Sequence, residues 1–333
     1  MPIKQFPVTD LDFGDIKSAI KDYYKRSEGP FKDFDFEGSG LSLILDILAH
    51  NTHYNAVLAH LAANETFISS AQMRKNVVAR AKALGYTPHG VGAPSATVTL
   101  VGLPSSIVSL PEGTTFTSTD TLNNTTYTFS TIEEIANPTG EFAIYQGSYQ
   151  TQTYAFDDKV KNLKFEIPNK NVDITKIQVV VRDSATSTKK EIYTQFSELP
   201  GITGTSAIYF INENPNGFYE IAFGDNVLGK KPAPASQVEI KYFTTKGTEG
   251  NGLSTFSVSD SIFNGAIVNV VASNSSSGGG VKEGIESIRQ NAPLQLLSQN
   301  RAVTVDDYVA LVRKNANVKD VAIWGGEDND PPE

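Results

Sequence analysis

Residues 289–308 read Arg-Gln-Asn-Ala-Pro-Leu-Gln-Leu-Leu-Ser-Gln-Asn-Arg-Ala-Val-Thr-Val-Asp-Asp-Tyr, and the pattern predicts two helices joined by an explicit hinge. Asn291 is a capping residue type, Pro293 suits a first helical turn, and Leu294 and Leu297 fall three apart on one face. Thr304 opens the second helix. Its hydroxyl can accept a backbone N–H three residues on, where Asp307 takes the place of the Glu of a capping box. Val305, Tyr308, Val309 and Val312 then repeat at helical spacing.

Upstream, the first ninety residues also read as helices. Phe13, Ile16, Ile20, Tyr23 and Tyr24 recur at three and four until Gly29-Pro30. Ser39 caps a second helix, whose stripe of Leu41, Ile44, Leu45 and Leu48 is continued by Val57, Leu58 and Leu61. A third starts at Ser69 or Ser70, lines Met73, Val77, Ala81 and Leu84 on one face, and stops at Gly85, where a left-handed residue is wanted before Pro88.

From about Gly92 the apolar period falls to two. Ala96, Val98 and Leu100 alternate, as do Ile177, Val179 and Val181, and Val238, Ile240 and Tyr242. Between Ala207 and Phe223 two apolar runs flank Asn214-Pro215-Asn216-Gly217, a hairpin turn. No repeat or heptad persists, which argues against a fibre shaft. The run Ser273 to Gly280 is a flexible linker by composition, so the helical region beyond it is free to dock elsewhere. Val318, Val321, Ile323 and Trp324 look like the start of a strand with no returning partner, which predicts a natural polypeptide continuing past Glu333 or pairing with another chain.

The expected class is therefore α+β: an N-terminal helical segment, central antiparallel β-rich domains and a C-terminal helical segment. The division is 1–90 helical, 91–155 a small β domain, 156–272 a second β domain, 273–281 a Gly/Ser linker, and 282–333 helical with the start of a further domain.

A chain of 333 residues can bury two or three cores. Its 28 basic residues against 37 acidic ones give a formal net charge of −9, which disfavours nucleic acid or an anionic membrane as partner. The absence of cysteine removes disulfides, thiolate metal sites and thiol nucleophiles together. No signal peptide is evident and the longest apolar run, Leu41 to Ala49, carries Asp46, so synthesis in a cytoplasm without export is expected.

Chemistry has few candidates. Asp46, His50, His53 and His60 share one face of the second helix, but His60 lies roughly 10 Å along the axis from His53, and one helix rarely supplies three zinc ligands. They read as a polar stripe hydrogen-bonded between helices. Ser39 precedes a helix without the strand-turn elbow of a hydrolase, and Gly278-Gly279-Gly280 lacks the Gly-Lys-Ser/Thr ending of a phosphate loop. No enzyme, cofactor or metal is expected. The sites expected to matter are contacts with partner proteins: Leu41, Ile44, Leu45, Leu48, His50 and Tyr54 on the second helix, and Ile285, Ile288, Leu294, Leu297, Arg301 and Tyr308 near the C-terminus.

Three segments carry a family resemblance. They are Phe34-Asp35-Phe36-Glu37-Gly38-Ser39 with Leu45-Asp46-Ile47-Leu48-Ala49-His50-Asn51-Thr52; Phe223-Gly224-Asp225-Asn226 with Gly229, Pro232, Tyr242, Gly247, Gly250 and Asn251; and the stretch 289–308. In this order they resemble the baseplate J-like family, the wedge proteins of contractile phage tails. Asn226 stands where Gly is usual, a substitution that keeps access to the left-handed conformation. His50 stands where that family has an aromatic residue. The resemblance implies a non-enzymatic part of a virion tail baseplate, assembled in the host cytoplasm. It further implies two copies packing with a different wedge protein, a six-fold ring of neighbouring wedges around the hub, and a part in triggering sheath contraction. The rival expectation is a receptor- or carbohydrate-binding β-rich tail protein, whose β region would fold and bind glycan alone.

Overall fold

The structure is a computed structural model that describes residues 12–26, 36–120, 124–157, 159–160, 163–184, 186–196, 201–258, 263, 268–298, 302, 304–313, 318 and 320–325. The expected stop at Gly29-Pro30 and the candidate Arg301 lie outside the described residues, as does the side chain of Leu297. The chain divides into two compact units, Met1–Val77 and Val78–Glu333.

The first unit holds helix α1 (Phe13–Arg26), the long helix α2 (Gly40–Asn64) and the start of α3 (Arg74–Ala83). Ser39 caps α2 as its sequence predicts, its hydroxyl accepting the Ser42 N–H at 3.0 Å. The start of α3 differs from expectation. Neither Ser69 nor Ser70 opens it; the carboxylate of Glu65 reaches forward to accept the N–H groups of Gln72 at 2.8 Å and Met73 at 3.2 Å, and the side-chain amide of Asn76 at 2.6 Å. A charged acceptor at the positive end of a helix is a stronger cap than a serine hydroxyl, so it wins. The far end of α3 follows its sequence: Gly85 sits at φ +79°, Tyr86 N–H bonds the Ala81 carbonyl at 2.9 Å and Gly85 N–H that of Lys82 at 3.0 Å, a Schellman closure. Among the described residues no helix is long and apolar enough to cross a membrane.

In the second unit the chain forms β1 (Ser95–Val101), β2 (Ser109–Leu110), β3 (Thr115–Asp120), β4 (Thr125–Ser130), β5 (Ile135–Ala136) and β6 (Phe142–Gln146). It continues with β7 (Ser148–Ala155), β8 (Lys164–Glu166), β9 (Val172–Arg182), β10 (Lys190–Gln195), β11 (Ile208–Glu213), β12 (Tyr219–Phe223) and β13 (Gln237–Thr244). After β14 (Ser257–Val258) and β15 (Asn269–Ala272) come the helices α4 (Ile285–Ser298) and α5 (Val305–Arg313).

One sheet has the order β14-β3-β4-β6-β1-β15 and another β7-β13-β9-β10-β11-β12-β8, with β2 and β5 as a separate pair. All pairings are antiparallel except β10 with β11. The predicted alternation is what buries the cores. Ala96, Val98 and Leu100 face in with Phe116, Phe129 and Ile144 in the first sheet, and Val179, Val181, Val238 and Ile240 pack with Ile211 and Ile221 in the second. Each of the Val, Leu, Ile and Phe side chains contributes about 1.5–3 kcal/mol by leaving water. Edge strands β14 and β15 approach each other, so the six-stranded sheet curls toward a barrel. The hairpin β11–β12 turns through Asn214 to Gly217, with Asn214 Oδ1 accepting the N–H groups of Asn216 and Phe218.

Strand membership is nested. The whole seven-stranded sheet is inserted between β6 and β14 of the six-stranded one, where a linear reading sets two β domains side by side with a boundary at 155. Gly147 is the crossing point from one sheet to the other. At φ +130° it occupies a conformation that residues with a side chain avoid, and a Cβ there would stand 2.0 Å from the Thr244 carbonyl oxygen.

The Gly/Ser run is not an open tether. Ser95 and Ser277 exchange backbone hydrogen bonds at 2.8 and 2.9 Å, Gly92 and Gly280 exchange two more at 3.1 Å, and Asn274 Oδ1 accepts the Thr97 N–H. Asn251 clamps Gly279 from the other side through both its amide atoms. Composition alone suggests flexibility; a ladder partner supplied by residues 92–97 removes it.

Beyond this ladder, α4 starts at Ile285, earlier than the sequence predicts. Asn291 lies inside the helix, donating to Ser287 Oγ at 3.0 Å and Glu283 Oε1 at 3.2 Å, and Pro293 is also internal. A second helix does follow. Thr304 and Asp307 form the expected capping box, with N–H to Oδ2 at 2.9 Å one way and N–H to Oγ1 at 3.3 Å the other. The strand expected around Val321 to Trp324 is absent: those residues carry no regular structure.

Candidate partner interface

Helix α2 is a 25-residue segment whose only charged residue is Asp46, and that carboxylate is taken by Lys17 of α1 at 2.5 Å. One side of the helix is covered by the chain itself: Ser42, Leu45 and Ala49 are buried, and His53, Ala56 and His60 half-buried. The opposite side is apolar and open. Leu43, Ile44, Ile47 and Tyr54 are 59–63% exposed, and Leu48, Val57, Leu58 and Leu61 continue the surface along the helix. These eight side chains leave on the order of 800 Å² uncovered, the share that one partner brings to a standard protein interface. Monomeric proteins rarely keep a contiguous apolar patch of that size in water.

The polar groups on this face are compatible with burial. Thr52 Oγ1 donates to the Leu48 carbonyl at 2.8 Å, and the Asn55 amide donates to Asn51 Oδ1 at 2.9 Å, so part of their hydrogen-bonding capacity is already satisfied along the helix. Phe13 of α1 meets the His50 ring edge-on, with centroids 6.4 Å apart, and an open groove runs between Phe13, Ile47, His50, Asn51 and Tyr54. A second groove follows Ile16, Ile20, Tyr23 and Tyr24 on the other flank.

The candidates named from sequence thus divide. Ile44, Leu48, His50 and Tyr54 are exposed and Leu41 half-buried, whereas Leu45 is covered by its own chain, so its apolar surface serves folding. Near the C-terminus Tyr308 is 48% exposed beside Val305 and Val312, Ile285 and Leu294 are half-buried, and Ile288 is fully buried. Sequence reasoning missed Leu43 and Ile47, the most exposed of the α2 leucines and isoleucines, because it sought one stripe. The signal that identifies them is the lack of any Lys, Arg or Glu from Gly40 to Asn64, which marks a helix apolar on more than one side.

The polar stripe offers no converging ligand set. Asp46 is committed to Lys17, His50 lies against Phe13, and among the described residues no three metal-capable side chains come together.

The second resembling segment is a turn scaffold. Asp225 Oδ1 accepts the N–H groups of Leu228 and then Val227, which hold its carboxyl below the usual range, and Asn226 takes φ +69°, as its left-handed tolerance allows. Gly247, Gly250 and Asn251 lie where Gly279 and Gly280 cross. Two motifs read separately along the chain meet as one structure.

Residues 12–86, which contain α1 to α3, match the helical domain of the family described as baseplate wedge protein gp6-like. The chain is also similar to a curated baseplate wedge protein. That relative is gp6 of Enterobacteria phage T4, 28% identical over 334 aligned residues that make up 90% of this chain and 49% of the relative. The chain therefore spans about half the length of that relative. A solved structure of the anti-feeding prophage baseplate aligns with 90% of this chain and 63% of its own, at 13% identity and a TM-score of 0.32, too low a likeness to speak to the fold.

Proposed function

We propose that this chain is a structural, non-enzymatic component of the baseplate wedge in a contractile phage tail, assembled in the host cytoplasm and working without a cofactor. Two copies pack their helical segments with a different wedge protein. Neighbouring wedges join into a six-fold ring around the hub, and rearrangement of the ring releases sheath contraction. The finer likeness to the baseplate J-like proteins belongs to this reading, as do the ring and its partners.

The observation that carries it is the open face of α2. A charge-free apolar helix surface has its natural complement in another amphipathic helix laid into its grooves. The grooves beside Phe13 and Tyr23 provide the flanking holes for such a helix. A hinge at Ser273 to Gly280 has no part in the rearrangement, because that segment is held in a ladder.

The test is co-purification of the full chain with the other wedge proteins. Leu43→Asp with Ile47→Asp puts two charges on side chains that are mostly in water, so the free protein should melt within about 0.5 kcal/mol of the wild type. Recovery of the wedge complex should be lost. Wild-type recovery with the doubly charged face would refute the helical interface.

A further inference from the structure

The two ends of the seven-stranded sheet meet. Tyr154 of β7 donates its hydroxyl to the Glu166 carbonyl of β8, and its ring centroid lies 5.2 Å from that of Phe165, so the sheet closes around its own core. At the rim where β7 ends, β8 begins and β12 ends, a cavity of about 480 Å³ opens beside the last turn of α3. That volume is in the range of small-ligand sites, and the mouth of a closed sheet is a common place for one. One wall is apolar: Phe156 and Phe223 stand edge to face with centroids 6.3 Å apart, and Leu163 and Val160 extend the surface. The other wall is cationic, lined by Lys82 of α3, Lys164 of β8 and Lys231.

The three lysines are not equally committed. Lys164 is paired with Glu220 at 2.8 Å. The Lys231 N–H bonds Asn226 Oδ1 at 2.8 Å, which fixes its backbone, and its ammonium stands 5.9 Å from the centroid of Phe156. Among the described residues neither Lys82 nor Lys231 has an ion-pair partner. Desolvation, followed by the like charge of Lys164, holds the Lys82 ammonium below its usual range, with Glu220 opposing. Asp225, the carboxylate of the lining, spends Oδ1 on the N–H groups of Leu228 and Val227. Even with Asp225 and Glu220 both counted against the three lysines, one positive charge is left over.

We propose that this cavity binds a monocarboxylate carried on an aromatic or branched apolar body, with the body against Phe156 and Phe223 and the carboxylate on the side of Lys82 and Lys231. Each half of the cavity asks for one half of such a ligand. A phosphate dianion exceeds the spare charge and leaves the aromatic wall in water, whereas an uncharged body leaves the lysines without a counter-ion. A free arylalkyl acid and a Glu or Asp beside an aromatic residue in a peptide offer the same chemistry. The site uses no residue of α2 and does not rest on the wedge reading.

The test is trace acetylation of the full chain with acetic anhydride, the rate at each lysine being read by mass spectrometry. Lys189, whose side chain is largely in water, is the internal control. A ligand of this size should bind with a dissociation constant of about 1 mM, so about 10 mM 3-phenylpropionate should slow acetylation of Lys82 and Lys231 about five- to tenfold and leave Lys189 unchanged. The amide 3-phenylpropanamide, which has the same body without the charge, and inorganic phosphate should protect neither lysine. The blocked dipeptide acetyl-Phe-Glu-amide, whose carboxylate is on a side chain, identifies the source: protection at least equal to that by the free acid assigns a peptide, and protection by the free acid alone assigns a small molecule. Lys82→Gln, at an exposed position, should keep the urea midpoint and cut the protection of Lys231 to less than about twofold. Equal protection by the amide or by phosphate would overturn the proposal. So would undiminished protection of Lys231 in the Lys82→Gln chain, or no protection by either carboxylate.

Discussion

Glu283 offers the sharpest test of how the C-terminal helices are held. Its side chain is buried, and its carboxylate accepts the Tyr86 hydroxyl at 2.8 and 2.9 Å, the His89 N–H at 2.9 Å, the Ser287 hydroxyl at 2.6 Å and the Asn291 amide at 3.2 Å. The Glu283 N–H returns a bond to the His89 carbonyl. One residue thus fastens the start of α4 to the segment that leaves α3. Glu283→Ala strips the acceptor from Tyr86 and from His89 at once, and each buried donor left without a partner costs about 1–3 kcal/mol. With the lost charge-assisted bonds, the local cost comes to about 3–5 kcal/mol, the range for breaking a buried charged network. At about 1.36 kcal/mol per decade this raises local opening roughly a hundred- to several-thousand-fold. Hydrogen exchange of the His89 amide and of α4 should accelerate accordingly, while the β13 and β9 amides stay protected. Glu283→Gln keeps one acceptor oxygen and should fall between. Burial, followed by the Glu283 charge, pushes the Tyr86 hydroxyl well above its usual range, so the alanine variant should also bring its titration down. An unchanged exchange rate at His89 in the alanine variant would refute the fastening role.

Two further outcomes follow from local geometry. Gly147→Ala should destabilise the β unit by more than about 2 kcal/mol in urea unfolding, because it adds strain at φ +130° to a backbone clash with Thr244; a variant within experimental error of the wild type would contradict the crossing geometry. The Glu65 carboxyl is held below its ordinary value, first by the Asn76 amide and then by the Gln72 N–H, so its contribution is complete above the unfolded value of about 4.3 and is lost as pH falls through the folded one. Glu65→Gln should therefore flatten the acid limb of the melting profile below about pH 4.3; an unchanged limb would show that the carboxylate is no cap.

What was legible in the sequence is what local chemistry decides. The Thr304–Asp307 box, the Ser39 cap, the Gly85 stop and the Asn214–Gly217 turn each place donor and acceptor within a few residues, so spacing is enough to find them. The misreadings share the opposite property. Glu65 caps α3 from seven and eight residues away, outside any capping template. Asn291 looks like a cap, yet Gly284 accepts the Ile288 N–H first and the helix is already under way when Asn291 is reached. The serines and glycines of 273–280 look flexible because their ladder partner lies some 180 residues earlier, as the Asn274–Thr97 bond shows with a separation of 177. Nesting of the sheets was invisible for the same reason. The open side of α2 was only half legible, since periodicity reports that a helix has an apolar stripe and is silent on which side of a doubly apolar helix its own chain will cover.

In the β unit, alternating strands put Val, Ile, Phe and Tyr into two interior clusters and spend Ser, Thr and Asn outside, so its apolar surface is largely used up within the chain. Helix α2 departs from this: its covered side holds Leu45 but otherwise the small Ser42 and Ala49, while Leu43, Ile44, Ile47 and Tyr54 stand in water, so most of its large apolar side chains lie outside. A chain selected only to fold alone gains by exchanging the two, since each large side chain moved inward contributes about 1.5–3 kcal/mol. The inverted arrangement makes sense when a close helix contact within the chain requires small residues on one side and a second helix from elsewhere covers the other. The prediction that follows is directional. Enlarging the inner side with Ala49→Leu should unfold the helical unit before it affects assembly, whereas charging the outer side should abolish assembly and leave the fold intact; the opposite pattern would mean that the two sides have been assigned the wrong way round.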